Sequence, residues 1–166
     1  PIIEAVVEKG THKKIGLIAT KATVKSGVYQ EKMKRRNPEI EMAVLPTPLL
    51  APMIEEGFSK DKISKTVIEN YLNNPIFKGI DSLILGCTHY VLIKDEINDF
   101  FNGKVTLYDS TDIVAHKMIE IFQTEKLNSE KKSGDNHFYV SDMTEGFQES
   151  TSRFYEDNIK LELLKL

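Results

Sequence analysis

With 166 residues the chain can build one sizeable core or parts of two small ones. Its 25 acidic and 22 basic side chains leave a net charge of −3, which gives a nucleic acid no bulk field to follow. A single cysteine excludes an internal disulfide framework and a cysteine-rich zinc centre, and no apolar run approaches the roughly 20 residues that cross a bilayer.

Pro1 stands directly before Ile2-Ile3-Glu4-Ala5-Val6-Val7, a helical pattern with proline in its first turn. With no signal peptide and no initiating methionine, the natural chain is expected to begin further upstream. Lys14-Ile15-Gly16-Leu17-Ile18-Ala19, closed by Thr20, is a short apolar run of the buried-strand type. Helical spacing follows over residues 23–36 and ends at the Asn37-Pro38 turn. Residues 40–44 form a second strand, followed by the stiff loop Pro46-Thr47-Pro48. Thr47 and Pro48 suit the N-cap and first position of a helix over 49–56 that stops at Gly57. Ser59 is placed to cap the next helix, which runs to about Leu72. Residues 81–86 make the third strand, and the spacing of Leu92, Ile93, Ile97, Phe100 and Phe101 sets a helix after it. A fourth strand at 105–108 and a helix at 112–122 complete this series. The polar run 123–136, with Lys131-Lys132-Ser133-Gly134-Asp135, is a surface loop or linker. Beyond it stand a short strand at 137–140, an amphipathic helix at 144–155 and an alternating strand at 159–164. The alternation predicts an α/β fold with a mainly parallel sheet flanked by helices.

The richest stretch is Leu83-Ile84-Leu85-Gly86-Cys87-Thr88-His89-Tyr90, which holds the only cysteine. A buried parallel strand ending in a small residue delivers the next side chains to the sheet edge where open α/β proteins bind ligands. Backbone N–H groups and the start of the following helix favour a thiolate at Cys87. His89 is close enough to exchange a proton with it, and Thr88 can hold a carboxylate. An inert buried cysteine beside a satisfied histidine is the other reading these residues allow. Thr20 and Thr23 form either a small anion cradle or a helix cap. Glu55 and Glu56 are either solvated side chains or a carboxylate partner for His89. The sequence has no G-x-G-x-x-G, no Walker loop and no arginine over residues 88–94. A Cys-x-His pair without further ligands makes a poor zinc site, so no metal is expected, and His116 and His137 are placed at the surface.

Leu85-Gly86-Cys87-Thr88-His89-Tyr90 resembles the second-cysteine motif of bacterial glutamate racemases, in the aspartate/glutamate racemase superfamily. Ala19-Thr20-Lys21-Ala22-Thr23-Val24-Lys25-Ser26 resembles the threonine-rich loop of that family, and Leu50-Ala51-Pro52-Met53-Ile54-Glu55-Glu56-Gly57 the segment that follows. Leu107-Tyr108-Asp109-Ser110 is similar to its returning strand and turn. The resemblance implies cofactor-independent, PLP-free interconversion of L- and D-glutamate in the cytoplasm, supplying peptidoglycan synthesis. It casts Cys87 as the base for the L-glutamate α-proton, His89 as its assistant and Glu55 as the carboxylate beside the pair. Thr88, Thr20 and Thr23 then hold the substrate. It further implies two Rossmann-like domains, with residues 1–105 the second of them and 106–166 a tail packing on the missing N-terminal domain. The family's other cysteine, in a Cys-Asn-Thr segment, and its Asp-Ser-Gly segment are absent from these residues. The chain alone is therefore expected to be inactive. Val91, Leu45 and Thr111 depart from the family pattern. The family is commonly homodimeric; no nucleic-acid or membrane partner is implied. The competing readings are an aspartate or hydantoin racemase and a non-catalytic α/β binding module.

Overall fold

Strands that are apolar along their whole length need cover on both faces, and the computed structural model of the chain supplies it. It describes residues 1–10, 12–58, 60–127, 137–143, 151 and 159–164. β1 (Lys14–Ala19), β2 (Glu41–Pro46), β3 (Ser82–Leu85) and β4 (Thr106–Asp109) form one parallel sheet in the order β2-β1-β3-β4. β3 is buried at every residue, as its inner position requires. Side chains alternate between the faces. Ile15, Leu17 and Ile84 pack with Ile3, Val6 and Met33 on one face. Ile18, Leu83 and Leu85 pack with Leu50, Ile54, Ile68 and Ile97 on the other. The first face is covered by α1 (Ile2–Glu8), α3 (Val28–Arg36) and α7 (Ser110–Thr124). The second lies under α4 (Leu50–Glu55), α5 (Lys62–Leu72) and α6 (Lys94–Phe100).

The register decides where the loops emerge. Ile18 pairs with Leu45 on one side and Leu85 on the other, and Leu85 pairs with Asp109. One row thus crosses the sheet, and the residues that follow it leave together at the C-terminal edge. This edge carries the candidate site.

Several expectations are revised. The single helix over 23–36 is two, α2 (Lys21–Ser26) and α3, because Gly27 takes a left-handed φ of 65° between them. Thr47 does not cap a helix: it is fully buried, and α4 starts only at Leu50. Ser59 lies outside the described residues. The cap of α5 is Asp61, whose carboxylate accepts the Ser64 amide at 2.7 Å while its own amide donates to the Ser64 hydroxyl at 3.1 Å. β4 pairs residue by residue with β3, from Ser82 with Thr106 to Leu85 with Asp109. The loop at 128–136 and most of the helix at 144–155 lie outside the described residues. β5 (Phe138–Val140) pairs in parallel with β6 (Leu161–Leu163) in a small sheet separate from the main one. Among the described residues no helix is long and apolar enough to cross a membrane.

Candidate active site

Three neighbouring strands each place one part of the site. After β1 the chain turns at Thr20, whose hydroxyl accepts the Thr23 amide at 3.3 Å and caps α2. The capping reading of this pair is therefore present. The Thr20 and Thr23 hydroxyls also meet at 3.0 Å, and since one hydrogen serves that contact, the other remains for a further acceptor. After β2 comes the Pro46-Thr47-Pro48 loop and then α4, which ends at Glu55. After β3, Gly86 donates its amide to the Ile18 carbonyl at 2.8 Å, tying this exit to the end of β1.

Cys87 follows in extended conformation and opens a 3-10 turn over Thr88–Ile93. The regular helix α6 begins only at Lys94, so the thiol does not sit at an α-helical terminus as expected. What stands beside it is a side-chain relay. Cys87 Sγ lies 3.6 Å from His89 Nδ1, and His89 Nε2 lies 3.0 Å from Glu55 Oε1. Glu55, and not Glu56, is the carboxylate that meets the histidine. An ionised Glu55 accepts the Nε2 proton, and a neutral imidazole then presents a bare Nδ1 to the thiol. In that tautomer His89 can take the Cys87 proton and return it, with the positive ring held by the carboxylate. Glu55 is 59% exposed and His89 33% exposed, so this side of the relay is open. Thr88 is exposed at the head of the turn.

Two tyrosines feel the charge at Cys87. Burial pushes the Tyr90 phenol up to about 12; its bond to Thr47 opposes this, and the nearby Cys87 charge adds to it. Burial, then the same Cys87 charge, also raises Tyr29 on α3. Asp109 at the end of β4 is buried. Burial alone would raise its pKa, but the Lys94 ammonium and the Thr111 amide outweigh that and hold the carboxyl below its usual range. It caps α7 and pairs with Lys94, fixing the start of α6 against β4. Among the described residues no three His, Cys, Asp or Glu side chains converge as a metal site. A cavity of about 890 Å³ between α5 and α6, lined by Lys62, Lys65, Glu69, Asp95 and Asp99, contains none of the relay residues.

Sequence reasoning singled out Cys87, His89 and Glu55, which are in contact, and Thr20, Thr23 and Thr88 at the same edge. It missed the buried contact of Thr47 with Tyr90. It also missed His12, which bridges Asp81 at 2.8 Å and the Tyr108 hydroxyl at 2.7 Å. The signal for Thr47 was its place between two prolines, which suits a cap and a buried linker equally well.

The Asp/Glu/hydantoin racemase family matches residues 2–118. A glutamate racemase of Geobacter metallireducens is 35% identical over 142 residues, covering 85% of this chain and 53% of that protein. One from Aquifex aeolicus is 38% identical over 149 residues, covering 89% of the chain and 54% of the relative. The crystal structure of glutamate racemase from Francisella tularensis in complex with D-glutamate superposes with a TM-score of 0.87 at 32% identity, over 99% of this chain and 62% of that one. The chain thus spans a little over half the length of the relatives it matches.

Proposed function

The chain belongs to the Asp/Glu/hydantoin racemase family, and we propose that it is the part of a glutamate racemase that carries one of two proton-transfer groups. The Glu55–His89–Cys87 relay at the exit of three adjacent strands is the observation that carries this reading. Inverting a carbon centre needs a base on one face and an acid on the other. Cys87 as thiolate takes the α-proton of L-glutamate, its lone pair forming the S–H bond while the C–H electrons pass into the carbanion. A second acid then protonates the opposite face and gives D-glutamate. His89 manages the Cys87 proton, and Glu55 orients and balances His89. The hydroxyls of Thr20, Thr23 and Thr88 receive the substrate carboxylate. No cofactor takes part in these steps. Cytoplasmic supply of D-glutamate to peptidoglycan synthesis belongs to the same proposal, because many relatives carry the glutamate racemase name.

In this proposal the second acid is a further thiol from outside these residues, since the chain holds one cysteine. The apolar stripe Val114, Met118, Ile121 and Phe122, spaced i, i+4, i+7, i+8 along α7, lies exposed. It is the face on which the remaining part of a full-length racemase would pack, leaving this chain short of that cover. In D2O the complete protein is expected to interconvert the glutamate enantiomers with one deuterium entering the α-carbon. The 166-residue chain alone is expected to leave each enantiomer uninverted. Inversion by the isolated chain would overturn the two-group scheme, and faster turnover of aspartate than of glutamate would move the substrate assignment.

A further inference from the structure

We propose that Tyr90 and Thr47 form a buried clamp that holds the Cys87–His89 turn in register with the loops carrying Glu55 and Thr20. Both are then positioning residues for the reaction proposed above, and the inference rests on that reading. Neither side chain has any solvent exposure. The two hydroxyl oxygens lie 2.8 Å apart, and the Tyr90 hydroxyl also reaches the Thr47 carbonyl at 3.0 Å. Thr47 Oγ1 lies 3.3 Å from the Ala19 carbonyl, which also accepts the Thr47 amide at 2.8 Å. Two hydroxyl hydrogens serve these three side-chain contacts. Two arrangements engage every oxygen: Tyr90 donates to the Thr47 carbonyl while Thr47 Oγ1 donates to the Tyr90 oxygen, or Tyr90 donates to Thr47 Oγ1 while Thr47 donates to the Ala19 carbonyl.

This chain of contacts joins the three loops that make the site. Ala19 directly precedes Thr20. Thr47 lies between β2 and α4, the helix that ends at Glu55. Tyr90 closes the turn opened by Cys87, its amide donating to the Cys87 carbonyl at 3.1 Å. His89 lies between Cys87 and Tyr90 in that turn, so a rotation of the turn would move Nε2 away from Glu55. Two buried hydroxyls are an expensive way to fill a core, since an apolar pair fits the same space without desolvating polar groups. A hydrogen-bonded link, unlike an apolar contact, sets one distance and one direction. The phenol, pushed up to about 12, keeps its proton throughout the neutral range.

The test uses the full-length protein with Tyr90→Phe, Thr47→Val and Thr47→Ser. For Tyr90→Phe and Thr47→Val, kcat is expected to fall by about tenfold or more, and by a larger factor than KM rises, because small misplacements of reacting groups are costly. Thr47→Ser keeps the hydroxyl and is expected to retain kcat within about threefold. Independently of turnover, iodoacetamide should alkylate Cys87 several-fold faster in Tyr90→Phe than in the parent, with Thr47→Ser unchanged. Parent-like kcat and parent-like alkylation in Tyr90→Phe, measured below its melting temperature, would overturn the clamp. Should Thr47→Val fail to fold, Tyr90→Phe against Thr47→Ser decides the same question. A parent protein that turns over no glutamate would defeat the proposed reaction, and the alkylation rates would still decide the clamp.

Discussion

Asp109 shows how a single buried charge ties elements together. Its carboxylate is only 5% exposed, and the Lys94 ammonium and the Thr111 amide at 2.9 Å keep it ionised against the cost of burial. Because its folded pKa is lowered, its contribution to stability is present above the unfolded value of about 4 and is lost as pH falls through the lower folded value. Asp109→Asn is expected to destabilise the protein by about 1–3 kcal/mol at pH 7. The difference should shrink steadily below about pH 4, where the parent carboxylate takes up its proton. Unfolding midpoints of parent and variant across that range check it; a gap that stays constant with pH would show that the charge is not what stabilises. Asp81, at the other end of the sheet, follows the same logic. Burial would raise its pKa, but the Lys13 and Lys14 amides, with Ser82 and His12, hold it low. Neither carboxylate could be assigned a partner from the sequence, because Lys94 and His12 reach them only after the chain has folded.

At the scale of elements, the close approach of β3 to β1 explains the glycine in front of the cysteine. A Cβ on Gly86 would stand 2.8 Å from Leu17 Cδ1, 2.9 Å from Ala19 Cβ and 3.1 Å from the Ile18 carbonyl oxygen. That carbonyl already accepts the Gly86 amide and cannot retreat without breaking the strand exit. Gly86→Ala is therefore expected to cost about 1–3 kcal/mol and to displace Cys87 relative to Thr20. Thermal unfolding and Cys87 alkylation read the two effects, and an unshifted melting temperature would contradict the tight approach. Much of this was legible in advance. The apolar runs at 14–19 and 82–85 are strands because both sides of the sheet are covered. The Cys-x-His spacing is short enough for one turn to bring thiol and imidazole together. What escaped were features that spacing does not encode. Gly27 breaks a continuous helical pattern with a left-handed φ of 65°. Thr47 turns inward to a tyrosine forty-three residues away.

For the molecule as a whole, one edge of a parallel sheet gathers a proton relay, a threonine pair and a clamp beneath them. The relay was legible in part from residue types and in full only from geometry, since nothing in the spacing chooses Glu55 over Glu56. The relay is open on its Glu55 side, and the apolar stripe on α7 is exposed. The central claim is that Cys87 serves one face of the substrate and one face only. The direct measurement is solvent deuterium exchange at the α-carbon of each glutamate enantiomer, followed by proton NMR in the full-length protein and in Cys87→Ala. The variant is expected to lose exchange on L-glutamate by more than about a hundredfold while D-glutamate still exchanges through the other group. Exchange of L-glutamate at the parent rate in Cys87→Ala would contradict the assignment.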